Sequence, residues 1–399
     1  MSGGNQRIPA WRAVWVMVAL CGAASLTACA TTAGGASPTP GAATATATAT
    51  SAPTGATPSA SVATPTNAPS QQLAQLTVYV GSNNGAFFGV NAQSGQRQWK
   101  VAIQGAANKP VTSNGLVYVT TQSGYVYAIN AGHVIWQAQG DSAGSGITGR
   151  PALVNGMMLG ATENGVIFAL DATTGAKRWQ YPTGAAINAS VDALADGTLY
   201  VGASDGYLYS LNIANGTLRW RTQVGAAIEF TTPSVFNGLV YSGSDSGALS
   251  AFHTSDGSLK WKYQAGGQIF GKPWVDSGMV FFGSSDHYLY AVNASAGTLA
   301  WKFQTADSEN GSPATYNGVV YFASGDNRLY AVRESNGTKV WSYSNGYSFD
   351  LGRGWPVITQ GILFTGGGDG KLYALSASSG HVIWSYAAGD PLSAPTVGV

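Results

Sequence analysis

Eight tryptophans recur along the chain, Trp99, Trp136, Trp179, Trp220, Trp261, Trp301, Trp341 and Trp384, separated by 37, 43, 41, 41, 40, 40 and 43 residues. A period this regular means one supersecondary unit repeated and stacked, since a unit of that size cannot bury its apolar face alone. The content of the unit decides what is stacked. In the fifth repeat, Pro233-Ser234-Val235 leads to Gly238-Leu239-Val240-Tyr241, a turn at Ser246-Gly247, the run Ala248-Leu249-Ser250-Ala251-Phe252, a turn at Asp256-Gly257, and Leu259-Lys260-Trp261. Four short β-type runs alternate with turns, and nothing in the unit carries a helical period, which excludes helical solenoids.

The turns repeat as faithfully as the tryptophans. One series runs Asn84-Gly85, Ser123-Gly124, Asn164-Gly165, Asp205-Gly206, Ser246-Gly247, Asp286-His287, Asp326-Asn327 and Asp369-Gly370. A second runs Ser94-Gly95, Ala131-Gly132, Thr174-Gly175, Asn215-Gly216, Asp256-Gly257, Ala296-Gly297, Asn336-Gly337 and Ser379-Gly380. These residue types accept the positive φ of tight hairpins, so each unit is predicted to be a four-stranded antiparallel meander. The third run, such as Leu289-Tyr290-Ala291-Val292 or Leu372-Tyr373-Ala374-Leu375, is apolar on both faces and needs cover on both sides. Neighbouring sheets set radially provide that cover and leave only short edges, so the fold class is all-β, an eight-bladed β-propeller of four-stranded antiparallel blades.

The ends of the repeat region predict how the ring closes. Pro110, Pro151, Pro233, Pro273, Pro313 and Pro356 each open a first strand, where a residue without an N–H is tolerated. The first unit lacks that strand and begins directly with second-strand sequence, Leu76-Thr77-Val78-Tyr79-Val80-Gly81. The missing piece stands at the far end, Ala394-Pro395-Thr396-Val397, so the C-terminal strand is expected to close the first blade.

The pattern Pro-x-Val-x-x-Gly-x-Val-Tyr-x-Gly, then Gly-x-Leu-Tyr-Ala-Leu-Asn/Asp, then Thr-Gly-x-x-x-Trp resembles the pyrroloquinoline-quinone-like (PQQ-like) repeat family and covers residues 73 to 399. The resemblance implies one of two branches: quinoprotein dehydrogenases, or non-catalytic propeller lipoproteins similar to the outer-membrane assembly factor BamB. The dehydrogenases carry inserted loops, a pair of adjacent cysteines and a calcium site beside a catalytic aspartate. Both cysteines here, Cys21 and Cys29, precede the repeats, which hold no long insertion. The resemblance therefore implies the lipoprotein branch, with no cofactor, no metal and no enzymatic activity. A PQQ-dependent dehydrogenase and an extracellular ligand- or sugar-binding sensor are the alternatives.

The N-terminal region fits that branch. Arg7 and Arg12 precede an apolar run, Ala13 to Ala24, too short to remain as a membrane span, the layout of a secretory signal. Leu26-Thr27-Ala28-Cys29 resembles the bacterial lipobox, which implies cleavage of residues 1–28 and lipidation of Cys29. Residues 29–72 are almost entirely Ala, Thr, Ser, Pro and Gly with no charge, a composition that cannot offset its ordering entropy and is expected to act as a disordered tether. The propeller, 73–399, is thus expected outside the cytoplasm, monomeric, held to a bacterial membrane at the cell surface or in the periplasm, and free to bind an envelope protein or peptide.

Charge helps to place a site. The chain has 19 Lys and Arg against 18 Asp and Glu, a balance that offers no electrostatic footprint for nucleic acid. His133, His253, His287 and His381 stand at no metal-ligand spacing and are expected to be ordinary strand or turn residues. Charges do gather in the connections that run from each tryptophan to the next first strand: Lys109, Arg150, Asp192, Glu229, Lys272, Glu309, Asp350, Arg353 and Asp390. In a propeller that connection crosses from the outer edge to the central channel. These charged residues other than Asp390, joined by Trp355, are therefore candidate binding residues at the channel rim.

Overall fold

A computed structural model of the chain describes residues 69–194, 196–308, 311–349 and 356–399. The signal and most of the tether, Cys29, Glu309, Asp350, Arg353 and Trp355 lie outside the described residues. A helix, Pro69–Gln75, opens the described residues and straddles the boundary expected at Leu73. Proline is tolerated at a first helical position, and the Gln-Gln-Leu-Ala-Gln stretch behind it consists of good helix formers. The helix is tied down by Asn91, whose amide donates to the Ala74 carbonyl, and by Leu73, which is buried. No helix among the described residues is long and apolar enough to cross a membrane.

From Thr77 onward the chain forms eight four-stranded antiparallel sheets, each but the first built from four consecutive strands. The first contains Thr77–Gly81, Ala86–Asn91 and Arg97–Ala102 with the last strand of the chain, Thr396–Gly398. Thr77 pairs with Gly398, Val78 with Val397 and Tyr79 with Thr396, which is the closure expected from the sequence. Ser393 extends it: its N–H donates to the Gly81 carbonyl, and its Oγ accepts from the Gly81 N–H.

An apolar cluster fills every junction between consecutive sheets, including the junction of the eighth with the first, where Phe364, Leu372 and Leu392 meet Val78, Val80 and Phe88. Second and third strands are therefore buried on both faces. Most fourth strands alternate exposed and partly buried residues on the outer edge, and in blades five and seven the tryptophan, Trp261 or Trp341, is buried. Each fourth strand carries a bulge against its neighbour, as at Ala169/Leu170 and Ala291/Val292.

The repeated tryptophan locks one blade to the next. Trp261 donates its indole N–H to the Ala294 carbonyl of the following blade at 3.0 Å, Trp341 does the same to Ala377 at 2.9 Å, and Trp384 crosses the seam to Ala92 at 3.1 Å. Each ring also lies on the glycine of the following blade's last turn, so closely that a Cβ on Gly297 would stand 2.6 Å from Trp261. That close approach, with φ near +70°, explains the glycine of the second turn series.

The first turn series differs from expectation in one detail. Its glycines have positive φ but the residues before them do not, so they are not the primed two-residue turns. Pairs with positive φ at both positions lie instead between first and second strands, at Asn114-Gly115, Asn155-Gly156, Asn237-Gly238, Ser277-Gly278, Asn317-Gly318 and Gln360-Gly361, and once in the second turn series, at Ala131-Gly132.

Candidate functional site

Antiparallel order places the connection into each blade at the same end of the ring as the turn between its second and third strands. Backbone hydrogen bonds tie the two together in every blade: Gln122 N–H to Ala106 C=O, Glu163 to Gly146, Ser204 to Ala186, Asp245 to Ala227 and Ser285 to Gln268 among them. This face is therefore fixed by backbone, and side chains near its axis are held on a rigid frame.

The residue just before the opening proline of each first strand points the chain onto the axis. In blades two, three and six it is Lys109, Arg150 and Lys272. The sequence placed these at an exposed rim, but only 2%, 7% and 5% of their surfaces remain accessible. They are enclosed because the first strands pack against one another around the axis, as hydrogen bonds between blades show. Arg150 N–H donates to Ser190 Oγ at 3.0 Å, Ser190 N–H to Thr232 Oγ1 at 3.1 Å, and Lys272 N–H to Ser312 Oγ at 2.5 Å.

Asp192 opens the first strand of blade four in register with Ala152, Ser234 and Trp274, one position past the proline site, which Val191 fills here, and it receives Lys272 Nζ at 2.8 Å. The partners belong to blades four and six, so they meet by reaching inward past blade five. Burial still outweighs this pair: the Lys272 ammonium is held below the ordinary lysine value, with Arg150 adding to the shift and Asp192 opposing it. Burial lowers Lys109 well below the ordinary value, and the Arg150 charge reinforces it. Arg150 falls to about 10, again through burial, against the pull of Asp192. Its Nε is buried with no hydrogen-bond partner among the described residues.

Glu229 is not part of this cluster. It stands beside Asp245 of the adjoining turn, half-buried, and burial together with the Glu229 charge raises the Asp245 carboxyl from 3.8 to about 6. Asp245 thus binds its proton more tightly folded than unfolded, so its stabilising contribution is present at low pH and lost as the pH rises through about 6. Asp245→Asn is expected to raise the melting temperature at pH 7 and to flatten its pH dependence between 3.8 and about 6. An unchanged pH profile of melting in this variant would disprove the pairing.

Two residues not singled out from the sequence complete the axis. Phe230 and Phe270, in the connections into blades five and six, lie 5.9 Å apart and pack on Ala394 of the closing strand in blade one. Blades one and five are opposite in an eight-membered ring, so the two rings span the channel. Their one sequence signal is an aromatic residue three positions before the opening proline, at Pro233 and Pro273. Trp274, at the start of the first strand of blade six, packs on Ala394 with Phe230 and Phe270 and donates to Thr315 Oγ1 at 2.8 Å, and Thr315 in turn bonds to Asp276.

The arrangement holds cationic side chains inside the ring. Among the described residues no three His, Cys, Asp or Glu side chains stand together to hold a metal. His133, His287 and His381 are exposed and His253 is half-buried.

Comparison with known proteins gives the same picture from outside. The chain matches the family described as outer membrane protein assembly factor BamB in four overlapping segments, residues 16–137, 88–232, 229–348 and 345–398. A curated relative, the outer membrane protein assembly factor BamB of Yersinia pestis, is 39% identical over 54 residues, a match that spans 13% of this chain and 14% of that protein. Among solved structures, BamB from Moraxella catarrhalis superposes with a TM-score of 0.61 at 21% identity, over 70% of this chain and 87% of that one. The computationally designed Ika8 protein superposes with a TM-score of 0.67 at 15% identity, over 75% of this chain and 92% of that one. At these identities the two structures speak for the fold alone.

Proposed function

The chain belongs to the PQQ-repeat family of the outer membrane protein assembly factor BamB, and from that membership we propose that it is a non-catalytic scaffold lipoprotein of the bacterial cell envelope. The observation that carries this reading is that the family's repeat runs through the entire ring. Signal cleavage before Cys29 and acylation of its sulfur would hold the protein to a membrane, and residues 29–72 would let the propeller stand off from it. A rigid face of eight tied connections then presents one surface to an envelope protein or peptide, with Arg353 and Trp355 in the connection into blade eight as its contacts. Both are side-chain types enriched where interfaces concentrate their energy.

Affinity purification of the full chain from detergent-solubilised membranes after in-cell crosslinking is the test. The expected result is a stoichiometric envelope protein, with capture reduced at least about tenfold by Arg353→Ala with Trp355→Ala, in line with hot-spot side chains. Recovery of the chain without a crosslinked membrane or envelope protein overturns the scaffold reading; capture unaltered by the double variant overturns those contacts. A Cys29→Ser variant found still in the membrane fraction would remove the anchor.

A further inference from the structure

We propose that the positive cluster inside the ring is a binding site for a small oxyanion, a carboxylate or phosphate held by Arg150 and Lys109 with Lys272 in support. The argument begins with cost. A buried charge without a partner is penalised by several kcal/mol, and structures avoid it by pairing or neutralising the group. Here three cationic side chains are each more than nine-tenths buried, Lys109 and Lys272 lie within electrostatic reach of Arg150, and among the described residues one carboxylate, Asp192, interacts with them.

Asp192 is committed to Lys272 at 2.8 Å. Arg150 has no ion pair among the described residues, and its Nε is buried with no acceptor. Lys109 can escape its penalty by releasing a proton, which burial already favours. A guanidinium has no such exit in water-accessible pH, so Arg150 stays charged and keeps an unused fork of donors. A planar or tetrahedral oxyanion fits that fork two oxygens at a time and restores the charge on Lys109.

The surroundings suit a small ligand and exclude a large one. The backbone on either side of the cluster is fixed by hydrogen bonds between blades, Asn108 Nδ2 to Ile147 C=O at 2.6 Å and Thr120 Oγ1 to Gly149 C=O at 2.7 Å. Phe230 and Phe270, two residues before Thr232 and Lys272, pack together on Ala394 and place apolar bulk at the axis, which favours a small ligand. The inference does not rest on the envelope role, since the cluster is the same whatever binds outside.

Calorimetric titration of the full chain with inorganic phosphate, and separately with malonate, at constant ionic strength in chloride tests it. The expected result is saturable binding of one anion, and the arm that saturates at lower concentration identifies the chemistry. Arg150→Met should weaken it at least about tenfold, the value of one charge-assisted contact. Asp192→Asn, which adds net positive charge without removing a donor to the anion, should tighten it several-fold; this variant keeps the test decisive should Arg150→Met fail to fold. Absence of saturable heat with both anions, as expected if Glu309 or Asp350 of the chain supplies the counter-charge, overturns the proposal. So does binding that Asp192→Asn weakens.

Discussion

Removal of residues 392–399 is expected to open the ring and cost about 4–6 kcal/mol, though it touches no charged group at the axis. Leu392 and Val397 are buried at the seam, and each apolar side chain of that size contributes about 1.5–3 kcal/mol on burial. The deletion also strips the pairing partners of Thr77, Val78 and Tyr79 and leaves the Gly81 N–H and C=O without Ser393. Seven of the eight sheets keep every strand, so the loss falls on cooperativity between the ends. The measurement is urea unfolding together with size-exclusion chromatography. A lowered midpoint, with larger species formed through the bared edge of Thr77–Gly81, is the expected pair of results. A variant that stays monomeric with an unchanged midpoint would show that the seam does not close the molecule.

Trp261→Ala is expected to cost about 3–5 kcal/mol, the range for emptying a buried aromatic site. Trp261 is 9% exposed, packs at 5.8 Å from Tyr241 and bonds to the next blade through Ala294. Trp261→Phe keeps most of the ring and loses the N–H bond, so it should recover all but about 1–2 kcal/mol. Gly297→Ala should destabilise in its own right, since its Cβ would meet the indole and its φ is +70°. Part of that penalty should vanish in the Trp261→Ala background. Strictly additive losses in a double-mutant cycle would mean that ring and glycine do not act as one lock.

The candidate site was only half legible. Lys109, Arg150 and Lys272 stand out in a chain with few charges, and their place before a first strand is readable from the repeat. Their burial does not follow from local sequence, because it is caused by first strands of other blades closing around them. Nor does the pairing of Lys272 with Asp192, 80 positions apart, or the separation of Glu229 into a carboxylate pair with Asp245. The Phe230 and Phe270 bridge is invisible for the same reason: it reaches a residue of the opposite blade.

The amino-acid sequence by itself determined the number of blades, the four strands in each and the seam, because tryptophans and turn glycines recur in every repeat and the strand missing from the first unit stands, in recognisable form, at the far end of the chain. Tertiary structure decided which charges lose their water and which remain in it. That difference is physical: hairpin geometry depends on neighbours a few residues away, whereas the dielectric surroundings of a side chain on the axis depend on every blade that crowds it.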